Sequence, residues 1–287
     1  MNDTEQLRTT NAGQLREAAL VFRALHVPGR PLVLPNAWDT ASARIVEEAG
    51  AAAVATTSAG LAWDLGTADG DRLDRKDALA AVARIAAAVR VPVSADIESG
   101  YAPDAEGVGD TVRAVLGAGA VGVNIEDALH TGGAGELRPL GEQAARVAAA
   151  RAAADAAGVP LFVNARVDTF LRGAGGVAET LERAAAFLAA GADGVFVPGA
   201  VDPVTVKALV EGIEGPLNVL VGPGAPSVAD LAALGVARIS AGSAVAQAAH
   251  ALVRRAAREL LGTGTYGTLA DGFDYEGLNA LMTSRVR

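Results

Sequence analysis

The sequence contains no cysteine. That excludes disulfides, thiolate metal sites and every mechanism built on a cysteine nucleophile. Aromatic residues make up 4% of a chain that is 51% hydrophobic, so the core has to be assembled from Val, Leu, Ile and Ala. No Lys/Arg-rich run with interleaved aromatics occurs and the net charge is -9, which argues against a nucleic-acid surface. A small anion is not excluded, because it needs only local positive charge. No window approaches the ~18 to 20 uninterrupted apolar residues of a membrane span. The opening residues MNDTEQ are polar and acidic and lack the basic start and apolar centre of a secretory signal, so a cytoplasmic protein is expected.

What is present is rhythm. Short apolar runs alternate with helical patterns from Leu32 onward, at 32–36, 52–57, 91–97, 121–125, 161–165, 194–197, 217–221 and 237–240. Glycines placed for a left-handed helix stop precede many of them, at Gly50, Gly119, Gly191 and Gly235. Eight strands, each followed by a helix, predict an α/β chain folded as a (β/α)8 barrel, one domain over residues 1–287, with an N-terminal helix near 11–26. A doubly wound open sheet fits less well, because no G-x-G-x-x-G follows the first strand. The rhythm ends after Gly264. The tail to Arg287 still carries Leu269, Phe273, Tyr275, Leu278 and Met282, which pack either on the chain's own barrel or on a neighbouring subunit.

In such a barrel the site lies at the C-terminal ends of the strands. The third strand, in VPVSADIESGY from Val91 to Tyr101, ends in Asp96 and Glu98. Residues i and i+2 of a strand share a face, so the two carboxylates point together. The fourth ends in Glu126 and Asp127. Oxygen ligands without His or Cys suit Mg²⁺, with Mn²⁺ or Ca²⁺ as alternatives to it, rather than zinc. The bland reading makes the same acids solvated loop starts or helix caps. Asp127 fits a supporting acid or a cap as well as a ligand.

Arg166, closing the fifth strand, is either a fork for a substrate carboxylate or the partner of an acid such as Glu126. Ser58, Gly60 and Leu61 follow the second strand, where small residues let backbone N–H groups face a developing oxyanion. Trp38 and Asn218 are each either core or substrate wall. Asn36, Asp39, Thr57, Asn164, Asp168, Ser240 and Ser243 share that rim. His26 and His250 fall on predicted helices and read as structural, while His130, in the loop after the fourth strand, is a candidate acid or base.

The blocks LPNAWD (Leu34–Asp39), TTSAGL (Thr56–Leu61), LGTADG (Leu65–Gly70), SADIESGY (Ser94–Tyr101), NIED (Asn124–Asp127), NARVD (Asn164–Asp168) and GVARIS (Gly235–Ser240) occur in that order. Over nearly the whole chain they resemble the isocitrate lyase and phosphoenolpyruvate mutase superfamily. The resemblance implies a (β/α)8 barrel with bound Mg²⁺, acting on C–C or P–C bonds next to a 2-oxo acid or related carboxylate. It implies Asp96 and Glu98 holding the metal directly or through water, Glu126 in the same shell, and Asp69 in the water network. Ser58, Gly60 and Leu61 become a backbone cradle, Trp38 a wall and Arg166 a carboxylate partner. It also implies a homo-oligomer, a tetramer or dimer, with residues 262–287 packing on a neighbouring subunit.

One departure is sharp. Lyases of that superfamily carry a Lys-Lys-Cys-Gly-His loop after the fourth strand. Here residues 128–138 read ALHTGGAGELR, with neither Cys nor Lys. Isocitrate cleavage is therefore not expected, and the nearest kin are members without the lyase Cys, such as oxaloacetate decarboxylase-like and phosphonomutase-like proteins. The three glycines of this loop are expected to let it close over substrate. Two other readings stand: a phosphate-recognising barrel aldolase or synthase using Gly222 to Gly224 and Ala241 to Ser243, and a 2-oxo-acid binder that has lost catalysis.

Overall fold

The structure is a computed structural model that describes residues 3–130 and 135–283; for residues 3–11 the backbone alone is described. The chain opens with α1 (Asp3–Ala24), β1 (Leu32–Leu34), α2 (Thr40–Glu48), β2 (Val54–Ala55), α3 (Ser58–Asp64) and α4 (Arg75–Ala88). Then come β3 (Val93–Asp96), α5 (Ala105–Gly117), β4 (Gly122–Glu126), α6 (Leu140–Ala156), β5 (Phe162–Arg166), α7 (Thr169–Arg172) and α8 (Val177–Ala189). The barrel ends with β6 (Gly194–Val197), α9 (Pro203–Gly212), β7 (Leu217–Leu220), α10 (Val228–Ala233), β8 (Arg238–Ser240) and α11 (Ala244–Gly262), and a tail helix α12 (Tyr275–Thr283) follows.

All eight strands run parallel in the order β1-β8-β7-β6-β5-β4-β3-β2, as the alternating pattern predicts. The seam between β1 and β2 is closed just beyond the strands. There Ala37 N–H donates to Ala55 O at 2.9 Å, and Thr57 N–H donates to Ala37 O at 3.0 Å. The residues that shut the barrel thus lie at its C-terminal mouth.

Local signals behave as their chemistry requires. Asp39 caps α2 in a reciprocal capping box with Ser42. Gly50, Gly119, Gly191 and Gly235 sit at φ of 96°, 92°, 104° and 96°, the left-handed stop that a Cβ disfavours. Two helices run where no helix is expected. Ser58 to Leu61 is the first turn of α3 rather than an open turn, and α7 follows Asp168 directly.

The core is built from Val, Leu, Ile and Ala as expected, and the barrel interior adds buried polar residues to it. Val93, Ala95, Val123, Ile125, Val163, Ala165, Val195, Val197, Val219 and Ile239 are buried and alternate with the inward residues, so they face the surrounding helices. The inward set mixes apolar residues, Leu32, Leu34, Phe162 and Phe196, with a polar group of Ser94, Asn124, Asn164, Asn218, Arg238 and Ser240. Asn164 Nδ2 donates to Asn124 Oδ1 at 2.8 Å, and Arg238 reaches the same oxygen from β8, which is possible only across the interior. Below them α1 plugs the barrel with Phe22. A Cβ on Gly122 would lie 2.6 Å from that ring, so the position has no room for one.

In the tail, α12 lies against α2 of its own chain, where Arg44 donates to Leu281 O. Tyr266, Leu269, Phe273 and Tyr275 remain exposed. No helix among the described residues is long and apolar enough to cross a membrane.

Candidate active site

Three strand ends carry the acids and the cation. Asp96 closes β3, Glu126 closes β4 and Arg166 closes β5, with Glu126 and Arg166 opposite each other in register. Arg166 Nη1 pairs with Glu126 Oε2 at 2.6 Å and its Nε with Asp168 Oδ1 at 2.7 Å. Of the two readings open for Arg166, the structure contains the ion pair. Among the described residues its Nη2 carries no hydrogen bond. Against the pull of burial, Glu126 and Asp168 hold this guanidinium above its ordinary pKa, so it is a permanent cation.

Glu98 lies two residues past Asp96 in a left-handed conformation, φ 51°. Its Oε2 accepts from Asp71 N–H, Asp71 Oδ1 in turn accepts from Ser99 N–H, and Oε1 is buried without a partner. Burial pushes the Glu98 carboxyl up to about 7, and the charges of Asp71, Asp96 and Asp69 add to the shift. Asp69 is also raised, by burial and then by Asp96. Burial raises Glu126 too, with Arg166 opposing.

His130 is drawn into this cluster. Its Nε2 meets Glu126 Oε1, and Arg172 Nη2 on α7 donates to its Nδ1 at 3.0 Å. A donor on Nδ1 leaves Nε2 to carry the proton toward Glu126. The hydrogen bond to Glu126 raises the imidazole pKa. Residues 131–134 of the loop expected to close over substrate lie outside the described residues.

The amide cradle is narrower than expected. Ser58 donates both its N–H and its Oγ to Asp96 Oδ2, at 3.2 and 2.9 Å, and Leu61 N–H is spent on Thr57 O at 3.0 Å. The amides of Ala59 and Gly60, in the first turn of α3, carry no hydrogen bond among the described residues. A Cβ on Gly60 would stand 2.6 Å from Trp38 Cβ, so this turn lies directly on Trp38. The Trp38 ring itself sits 6.4 Å from that of His250. Asn218 is on the barrel interior, where its Oδ1 accepts from Ser240 Oγ at 3.2 Å.

Asp127 does not join the other acids. It accepts from Asp168 N–H at 2.9 Å and from Arg183 of α8 at 3.2 Å, tying the loops after β4 and β5 together; burial pushes its pKa up to about 6. The proposed phosphate turn after β8 is partly committed, since Gly242 N–H donates to Asn36 Oδ1 at 2.9 Å. His26, at the barrel base, stacks on Phe162 at 3.8 Å, and burial holds it down at about 3.

Asp71, Arg172 and Arg183 went unnoticed in the sequence. Asp71 had a signal, because it directly follows the LGTADG block and its Gly70. The two arginines are ordinary helical residues with none. A cavity of about 530 Å³ bordered by Asp71, Tyr101, His130, Arg138 and Arg146 opens beside the cluster.

No set of three or more His, Asp or Glu side chains among the described residues closes tightly enough to grip an ion directly. The donors still fit a hard cation. They are all oxygen, Glu98 Oε1 has no other partner, and Mg²⁺ keeps several waters and needs only one or two direct carboxylates.

Comparison with known proteins gives a consistent picture. The family model described as phosphoenolpyruvate phosphomutase matches residues 22–261. An uncharacterized protein of Mycobacterium tuberculosis is 41% identical over 77% of this chain and 81% of its own. The phosphoenolpyruvate phosphomutase of Streptomyces hygroscopicus is 32% identical over 97% of this chain and 94% of its own. A Burkholderia cenocepacia protein named provisionally as a lyase or mutase superposes with a TM-score of 0.88 at 37% identity, over 95% of this chain and 98% of that one.

Proposed function

The chain belongs to the phosphoenolpyruvate phosphomutase family, within the isocitrate lyase/PEP mutase superfamily of enzymes, and on that premise we propose that it is a Mg²⁺-dependent enzyme breaking a C–C or P–C bond next to a 2-oxo carboxylate. The observation that carries this reading is the Arg166–Glu126 ion pair at the ends of β4 and β5, next to Asp96 at the end of β3 and to Glu98, whose backbone O accepts from Glu126 N–H. Asp96 and Glu98 would hold the metal, through water at most positions, with Glu126 and Asp69 ordering that water. The ion, with Mn²⁺ as a substitute, supplies Lewis-acid pull on the 2-oxo acid when bound.

The protein's own residues do the rest. Ser58 fixes Asp96 through two hydrogen bonds, the Ala59 and Gly60 amides face the developing enolate oxygen, and Trp38 backs that turn. Arg166 turns its remaining N–H groups to a substrate carboxylate while Glu126 and Asp168 hold its plane. His130 keeps its one proton on Nε2 toward Glu126, with Arg172 fixing the tautomer, and so holds that carboxylate in place while water at the mouth protonates the enolate carbon. A 2-oxo dicarboxylate such as oxaloacetate satisfies this arrangement without a cysteine.

The test is a panel of 2-oxo and 2-hydroxy di- and tricarboxylic acids and a phosphonate, assayed by product analysis with Mg²⁺ and with EDTA. Wild-type turnover that needs the metal and disappears in Asp96→Ala is expected. Turnover surviving EDTA would refute the metal's role, and stabilisation by 2-oxo acids without any product would favour a binder. The exposed Tyr266, Leu269, Phe273 and Tyr275 support a homo-oligomer, which sedimentation would reveal.

A further inference from the structure

Arg238 has no place in the mechanism above, yet it is a charged side chain buried inside the barrel. It is fully buried on β8, and among the described residues no carboxylate stands within ion-pair distance of it. Its hydrogen bonds are long, Nε to Ser240 Oγ at 3.4 Å and Nη2 to Asn124 Oδ1 at 3.4 Å, and Nη1 has none. Other buried arginines are differently placed. Arg166 has Glu126 and Asp168, Arg183 has Asp127 and Glu179, and Arg146 donates to the carbonyls of Ser99, Ala102 and Pro103. Taking a guanidinium out of water costs several kcal/mol unless other charges compensate it.

Those charges are at the mouth. Arg238 spans the barrel from β8 to Asn124 on β4, and Asn124 is paired in register with Asp96. The fork therefore ends under the carboxylate cluster, with the Phe22 ring 5.9 Å away. Burial pulls its pKa down to about 9, with Asp96 opposing, which leaves it cationic at neutral pH. A charge buried in an interior closed at the base is poorly screened and acts over several ångströms.

We infer that Arg238 is a positioning residue for substrate charge: a fixed cation beneath the mouth that favours the anionic 2-oxo acid and its enolate, and opposes the divalent ion. This rests on the metal-assisted reading above. The sign is what makes it distinctive. A purely structural residue would, on removal, weaken every ligand together. A field-setting cation would weaken the anion and tighten the dication. At an effective dielectric near 20, one unit charge ~10 Å from another is worth roughly tenfold in binding, and a divalent ion or a dianion doubles that energy, so tenfold is the lower bound.

Isothermal titration of Mg²⁺ alone, and of oxalate at saturating Mg²⁺, tests it; oxalate is a planar dianion resembling the enolate of a 2-oxo acid. Arg238→Gln is expected to bind Mg²⁺ at least about tenfold more tightly and oxalate at least about tenfold more weakly than wild type. Asn124→Ala, which removes a hydrogen bond and keeps the charge, is expected to move both by less than about threefold. Parallel losses in Arg238→Gln, or no change in either affinity, would overturn the inference while leaving the metal reading intact. Wild-type protein that binds neither Mg²⁺ nor oxalate would overturn both. Should Arg238→Gln fail to fold, Arg238→Lys decides: it keeps the charge, so both affinities stay within about threefold of wild type, and a tenfold loss of oxalate in the folded variant would overturn the inference.

Discussion

Glu98 should make the metal-free protein less stable as pH rises, the reverse of what an ordinary paired carboxylate does. The side chain is 2% exposed, one oxygen has no partner, and three more acids crowd it. Its folded pKa is about 7, against 4.5 for the same carboxyl in the unfolded chain. Between those values the native state holds a proton that the unfolded chain has released, so stability falls across this window and the loss is complete above about pH 7. At 1.36 kcal/mol per pH unit the contribution is on the order of 3 kcal/mol, or about 5 °C in Tm for a chain of this length. Asp69, Glu126 and Asp127 shift the same way and steepen the slope. The assay is a thermal melt in EDTA from pH 5 to 8.5, repeated with Mg²⁺ and with Glu98→Gln. Wild type should lose Tm with rising pH, Mg²⁺ should restore it most at the alkaline end, and Glu98→Gln should flatten the slope by about 5 °C. A flat or rising metal-free profile, or a Glu98→Gln profile parallel to wild type, would refute the reasoning.

Three further outcomes follow from particular contacts. Gly60→Ala puts a methyl group 2.6 Å from Trp38 Cβ and 2.8 Å from Thr57 Cγ2, and urea unfolding should show a loss of about 1 to 3 kcal/mol. Arg183→Met leaves Asp127 buried without its cation, which should cost about 3 to 5 kcal/mol, whereas adding Asp127→Asn should recover most of the loss. Asp39→Ala removes the capping box of α2 and should cost about 1 kcal/mol with no change in turnover on a substrate found by the panel.

Strand parity explains how much of this was legible in the sequence. Outward residues such as Val123 and Ile125, or Val163 and Ala165, give each strand its apolar signal, and the glycine stops at Gly119 and Gly191 mark where helices end. Eight repeats of that grammar admit few folds, so barrel and strand order could be read directly. Inward residues at the strand ends, Asp96, Glu126 and Arg166, were legible because a charge closing an apolar run stands out. The helical start at Ser58 was not, since Ser-Ala-Gly serves a turn as well as a helix and only its seat on Trp38 decides. Partnerships were less legible still. Asp71 and Glu98 are 27 residues apart, Arg172 and His130 are 42 apart, and Arg183 and Asp127 are 56 apart, and no local pattern joins them.

Arg238 shows why the unread part matters for chemistry. It lies inside the GVARIS block, quoted whole as a mark of kinship, between two apolar residues that make the block look like any other strand. Its importance depends on parity and on what is missing around it. Shifted by one position it would face α-helices and solvent, where a guanidinium costs little and does little. Facing inward, it joins Asn124, Asn164 and Ser240 in a polar interior continuous with the mouth. An apolar interior would pack better and would have no charge to lend the site. The chain thus forgoes stability in the barrel centre, and the mouth above that centre holds the strongly raised carboxyl of Glu98. The buried cation is less expensive beneath Asp96, whose charge opposes the pull of burial on it through a poorly screened interior.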